Sequence, residues 1–189
     1  MPAQLPLPDP PLTDDALTLR PWGPEDVPHL LAAAADPVVH RYRYSLPGDA
    51  DEARAWLAAV ENDRLSGERI ELAVTTADAP QPVGSIALWG FHRRNRAAMV
   101  SYWLAPDGRG RGLATRALML VAGWAFDVLG QQRLALQVEV QNLASQQVAQ
   151  RCGFHREGQL RSHQQLRDGT RADVFVYGLL AGELVTARR

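Results

Sequence analysis

The residues best suited to chemistry are Gly108, Gly110 and Gly112, which lie within five residues of one another where the run Tyr102-Trp103-Leu104 gives way to a long helical pattern. Lacking a Cβ, glycine reaches backbone conformations that aim successive N–H groups into one concavity, and a helix N-terminus adds about half a positive charge there. This spacing describes an anion site built from main chain. What is missing narrows the choice of anion. A Walker-type phosphate loop needs a lysine after its last glycine, but Leu113 follows Gly112, and Gly108-x-Gly110-x-Gly112 lacks the G-x-G-x-x-G spacing of dinucleotide sites. A plain glycine turn ahead of a helix is the alternative reading.

Composition removes several function classes. The 189 residues are 46% hydrophobic and carry a formal net charge of -1, enough for one substantial core and without the positive field that nucleic acid would require. Cys152 is the single cysteine, so a disulfide framework and a cysteine-rich metal cluster are excluded, and no metal is expected. No run approaches the roughly 18 apolar residues of a membrane span, and the N-terminus lacks a basic segment followed by an apolar one. A soluble, cytoplasmic protein with neither membrane nor nucleic-acid partners is expected.

The elements that must position the glycine loop can be read from periodicity. Residues 1–14 contain Pro2, Pro6, Pro8, Pro10 and Pro11 and read as a mobile tail. Residues 17–19 read as a short strand, 24–35 as a helix stopped by Asp36 and Pro37, and 51–66 as a second helix closed by Gly67. Strands follow at 70–75, 83–89 and 97–104, the first two separated by a turn over 78–82. The most regular helix spans 111–129, where Ala114, Ala117, Leu118, Val121, Trp124, Ala125 and Val128 keep a 3.6-residue period up to Gly130. A half-buried strand at 134–140, a short helix at 143–151 and a hairpin of 154–162 with 173–180, turning through Arg167 to Thr170, complete the order. One domain over 15–181, with a tail at 182–189, follows from this. Its fold class is α/β (α+β), a mixed sheet covered by helices.

Arg109-Gly110-Arg111-Gly112-Leu113-Ala114 resembles the [QR]-x-x-G-x-[GA] pyrophosphate loop of GNAT superfamily N-acetyltransferases. Asn142-Leu143-Ala144-Ser145, followed by Gly153-Phe154, is similar to the N-x-x-S and G-F signature of that family's ribosomal-protein-alanine (RimJ/RimL-type) branch. The two motifs stand in the family's order and separation, and the resemblance covers residues 15–181. It implies the GNAT fold: a mostly antiparallel twisted sheet of about seven strands, flanked by about four helices, with a V-shaped splay between the fourth and fifth strands. It also implies acetyl-CoA as cosubstrate. Main-chain groups of Trp103, Leu104 and Ala105 would pair with the pantetheine arm, and Arg109, Gly110, Arg111, Gly112, Leu113, Ala114 and Thr115 would hold the pyrophosphate.

The resemblance further implies transfer of an acetyl group to a primary amine, a protein or peptide N-terminus or a small amine, by direct attack through a tetrahedral intermediate. Ser145 matches the position whose hydroxyl faces the CoA sulfur and is assigned as general acid; capping of a helix start is its structural alternative. Asn142 matches a pantetheine contact, with a turn role as its alternative. Relatives often carry a base glutamate just before the Tyr-Trp-Leu run, where this chain has Ala98, Met99 and Val100. Glu139 is the catalytic carboxylate left, although alternation with Val138 and Val140 gives it an exposed face; His92, His155 and capture of an already neutral amine are the other routes. Tyr42, Tyr44, Trp89 and Phe91 could line the acceptor pocket with the first two helices, and Arg93, Arg94 and Arg96 suit either an acidic acceptor or a solvated hairpin tip. The rival functions are an acyl-CoA-binding regulatory module with little turnover and another nucleotide-binding enzyme using the loop. The oligomer is a monomer or a homodimer.

Overall fold

The computed structural model describes residues 4–42, 46–166 and 168–185, the side chain of Tyr42 excepted. In chain order the elements are β1 (Leu12–Thr13), β2 (Leu17–Pro21), α1 (Val27–Ala34), α2 (Pro37–Tyr42), α3 (Ala50–Ser66), β3 (Arg69–Thr76), β4 (Ala79–His92) and β5 (Ala97–Leu104). They continue with α4 (Leu113–Asp127), β6 (Arg133–Glu139), α5 (Leu143–Arg151), β7 (His155–Gln165) and β8 (Arg171–Leu180). The strands form one sheet ordered β1-β2-β3-β4-β5-β6-β8-β7, antiparallel throughout except for the parallel pair β5 and β6.

Strand alternation sends side chains to both faces, and each face is covered. On one side Leu72, Ile86, Leu88, Val100, Leu134 and Leu136 bury against Leu113, Ala117, Leu118 and Val121 of α4. Removing such a side chain from water is worth about 1.5–3 kcal/mol, so this layer fixes α4 and the loop ahead of it. On the other side, Trp103 of β5 packs with Leu30, Val39, Ala53 and Trp56 of α1, α2 and α3. Trp22 stacks on Trp103 at 6.1 Å and meets Trp56 edge-on at 5.6 Å.

Two expectations about elements change. Asp36 and Pro37 do end α1, but they also begin α2: the Asp36 carboxylate accepts from the N–H groups of Val38 and Val39, the role of an N-cap. Residues 4–14, expected as a mobile tail, are docked. Leu5 exchanges two hydrogen bonds with Arg64 of α3, its N–H donating to the Arg64 carbonyl and its carbonyl accepting from Nη1, and Leu12 and Thr13 add β1 to the sheet edge. Pro10 and Pro11 lack backbone donors but lie ahead of the ladder, so Leu12 and Thr13 keep theirs for pairing with β2. The sheet therefore has eight strands, and the expected splay falls between β5 and β6. Of the expected tail at 182–189, residues 182–185 are described, and the Val185 N–H donates to the Cys152 carbonyl.

Candidate active site

The pairing of β5 with β6 stops early. Ala97, Ala98 and Met99 face Arg133, Leu134 and Ala135, and beyond them the strands part, leaving the β5 edge from Val100 onward without a β6 neighbour. β6 is held away by β8, which pairs with it along its whole length from Arg133 to Glu139. A cleft of about 560 Å³ occupies the gap. Leu136, Gln137, Val138 and Glu139 all line it, and since successive strand residues point to opposite faces, the cleft passes through the sheet.

At its α4 end the cleft is floored by Gly110, Gly112, Leu113, Ala114 and Thr115. Gly110 and Gly112 have φ of +73° and +75°, in the left-handed region that glycine tolerates. Gly112 begins α4 without a side-chain cap, so the first-turn amides of a 15-residue helix face the cleft. Arg109 acts differently. Its Nε donates to the Leu104 carbonyl at 3.0 Å and its guanidinium pairs with Asp36, which latches the loop to the α1–α2 junction.

Asn142, Ser145 and Glu139 come together at the other wall of the cleft. The helix start is capped by Asn142, whose Oδ1 accepts from the Ser145 N–H at 3.0 Å, so Ser145 keeps its hydroxyl for other partners. That hydroxyl lies 2.7 Å from the phenol of Tyr102. Burial raises the Tyr102 phenol above its ordinary range, so it stays protonated. Glu139 is buried, contrary to the exposed face expected from alternation, because α2 covers that side of β6: Arg41 Nη2 donates to Oε1 at 3.1 Å. Its Oε2 is buried with no hydrogen-bond partner among the described residues. Cys152 offers no nucleophile, since burial pushes its thiol up to about 12.

A family profile described as acetyltransferase (GNAT) domain matches residues 16–155. The chain belongs to the GNAT acetyltransferase family. It is 26% identical over 173 residues to an uncharacterized N-acetyltransferase p20 of Bacillus licheniformis, covering 91% of this chain and 97% of that one. It is 27% identical over 171 residues to the spermidine N(1)-acetyltransferase of Escherichia coli strain K12, covering 88% and 89%. In fold it is similar to Mycobacterium smegmatis RimJ, solved in complex with CoA-disulfide, with a TM-score of 0.81, 22% identity and coverage of 90% and 85%. This GNAT protein is thus an acetyl-CoA-dependent N-acetyltransferase with RimJ/RimL-type proteins among its structural neighbours.

The residues singled out from sequence can now be placed on the GNAT cleft. Of those assigned to acetyl-CoA or to catalysis through Glu139 and Ser145, all line it except Ala105 and Arg111. The Ala105 N–H is committed to the Val83 carbonyl at 2.9 Å, which takes it out of the set of free donors. Arg111 lies at the surface, 3.7 Å from Asp78. His92 and His155 are exposed and do not line the cleft, and His92 Nδ1 instead accepts from the Asn95 N–H. None of Arg93, Arg94 and Arg96 lines it; Arg96 Nε donates to the Gly130 carbonyl behind α4. Trp89 and Phe91 line a second cavity of about 500 Å³ on the α3 side, and Trp89 and Ser101 border both cavities. Tyr44 and the Tyr42 side chain lie outside the described residues. Sequence reading missed Tyr102 and Arg41 as neighbours of the site. Alternation along 97–104 does put Tyr102 on the face of Ala98 and Val100, but only the fold brings Ser145 to it.

Proposed function

We propose that the enzyme acetylates a primary amine, a protein or peptide N-terminus or a small amine, by direct attack on the acetyl thioester through a tetrahedral intermediate. The observation that carries this reading is the single cleft, running through the sheet, that unites the uncapped N-terminus of α4 with Ser145 and Glu139. The amides of Gly110 to Thr115 suit a diphosphate, and the unpaired β5 edge beyond Met99 suits an extended amide chain added as a strand would be. In this reading Asn142 keeps its Oδ1 for the helix cap and turns its amide N–H toward the pantetheine. The free loop amides and the open strand edge thus fit acetyl-CoA.

The proton balance assigns the remaining roles. Nitrogen attacks the carbonyl carbon, the carbon–sulfur bond breaks with its electron pair going to sulfur, and the amine must lose one proton while the thiolate gains one. Glu139, with one oxygen clamped by Arg41, receives the amine proton on the other. Ser145 assists departure of the thiolate and ends the cycle as it began. The acceptor enters from the side of α2 and Trp89, opposite α4 and α5.

The relative that acts on spermidine brings polyamines into the acceptor class beside peptide N-termini. The test is thiol release from acetyl-CoA with free amino acids, peptides of varied N-termini, polyamines and aminoglycosides. Acceptor-dependent release with one of these classes is expected. Tight CoA binding with no release across the panel would instead make the protein an acyl-CoA-binding regulatory module.

A further inference from the structure

Ser145 is held from two sides. Its N–H is fixed by Asn142, and its Oγ lies 2.7 Å from the hydroxyl of Tyr102, a residue on the opposite wall of the splay. Tyr102 Oη is also 3.3 Å from the Ser145 carbonyl. These contacts allow two proton arrangements. In one, the phenol donates to Ser145 Oγ. In the other, the serine donates to the phenol oxygen and the phenol turns to the carbonyl.

The distances choose between them. An O–H···O bond is strong at about 2.5–3.0 Å, and a 3.3 Å contact lies outside that range. The arrangement with the phenol proton on the 2.7 Å line to Oγ is therefore the better bonded of the two. A serine oxygen carries one hydrogen and two acceptor sites, so once it accepts from Tyr102 its own hydrogen is released to point elsewhere. The cleft that both residues line is what remains in front of it.

We propose that Tyr102 is a positioning residue for acetyl transfer: by donating to Ser145 Oγ, it turns the serine hydrogen toward the sulfur of the leaving thiolate. The role of Tyr102 rests on the reading of Ser145 as the group that assists departure. An aliphatic hydroxyl is a weaker acid than a thiol, so Ser145 cannot simply give its proton away. It stabilises the growing negative charge through a hydrogen bond, which becomes stronger when its oxygen accepts one from behind. Tyr102 keeps its own proton throughout, since its buried phenol resists ionisation. The proton that finally reaches sulfur balances the one the amine gives up.

The test is a double-mutant cycle of Tyr102→Phe and Ser145→Ala in the full-length enzyme, read as kcat at saturating acetyl-CoA and acceptor, with CoA affinity by calorimetry. One hydrogen bond worth of orientation corresponds to about a tenfold loss in kcat for Tyr102→Phe. CoA affinity should change less than about twofold, and the same substitution should cost nothing further in the Ser145→Ala background. A loss that persists undiminished without the serine hydroxyl, or a matching fall in CoA affinity, would make Tyr102 a packing residue and overturn the proposal. Full turnover in Ser145→Ala would instead remove the underlying role of Ser145. If the Tyr102→Phe enzyme does not fold, Tyr102→Met fills the space without a hydroxyl and carries the same expectations.

Discussion

At the scale of single residues, Glu139 makes the sharpest demand on explanation. A carboxylate with 5% of its side chain exposed and, among the described residues, one ion-pair partner loses more hydration than that contact returns, so its place at the cleft favours a functional role over a structural one. Glu139→Gln keeps the shape and the acceptor oxygen but removes the base. Turnover should fall by about 10²-fold or more while CoA still binds; unchanged turnover would send the amine proton to water instead. The glycine loop, Asn142 and Ser145 were legible in the sequence because their chemistry lies in residue type and local spacing. The burial of Glu139 was not, because it depends on Arg41, 98 positions away in the chain. Tyr102 and Ser145 meet for the same kind of reason, 43 positions apart.

At the scale of elements, the long helices and central strands were readable from periodicity because each buries one face, as α4 does through Leu113, Ala117, Leu118, Val121 and Ala125. Short elements that depend on one cap or one pairing were not. The six-residue α2 hangs on the Asp36 cap, and the two-residue β1 on its pairing with Leu19 and Thr18. Asp36 joins two elements, since the same carboxylate caps α2 and accepts the Arg109 guanidinium. Asp36→Ala should cost about 1 kcal/mol of stability, seen as a lower Tm, and weaken CoA binding severalfold as the loop loosens. Wild-type CoA affinity after that substitution would detach the latch from the loop. Arg109 also holds the Asp36 carboxyl below its ordinary range. The contribution of the latch is therefore complete above the unfolded carboxylate range and is lost as pH falls through the lowered value, so only strong acid should make the wild type resemble Asp36→Ala.

At the scale of the whole molecule, the decisive feature is a sheet that is continuous for three residue pairs between β5 and β6 and then opens. β4 holds one wall and β8 the other, so the opening is part of the rigid core and not a property of loops. Among the described residues no helix is long and apolar enough to cross a membrane. The opening brings the α4 N-terminus, the serine and the carboxylate to one place, and the reading of the site stands on the grip of main-chain amides on a diphosphate. Calorimetric titration of the intact protein with CoA, set beside pantetheine, which has the arm but no diphosphate, tests that grip most directly. Saturable CoA binding, at least about tenfold tighter than pantetheine and so worth at least about 1.4 kcal/mol, is the expected result. Equal affinity for the two, or no retention of CoA at millimolar concentration, would contradict it.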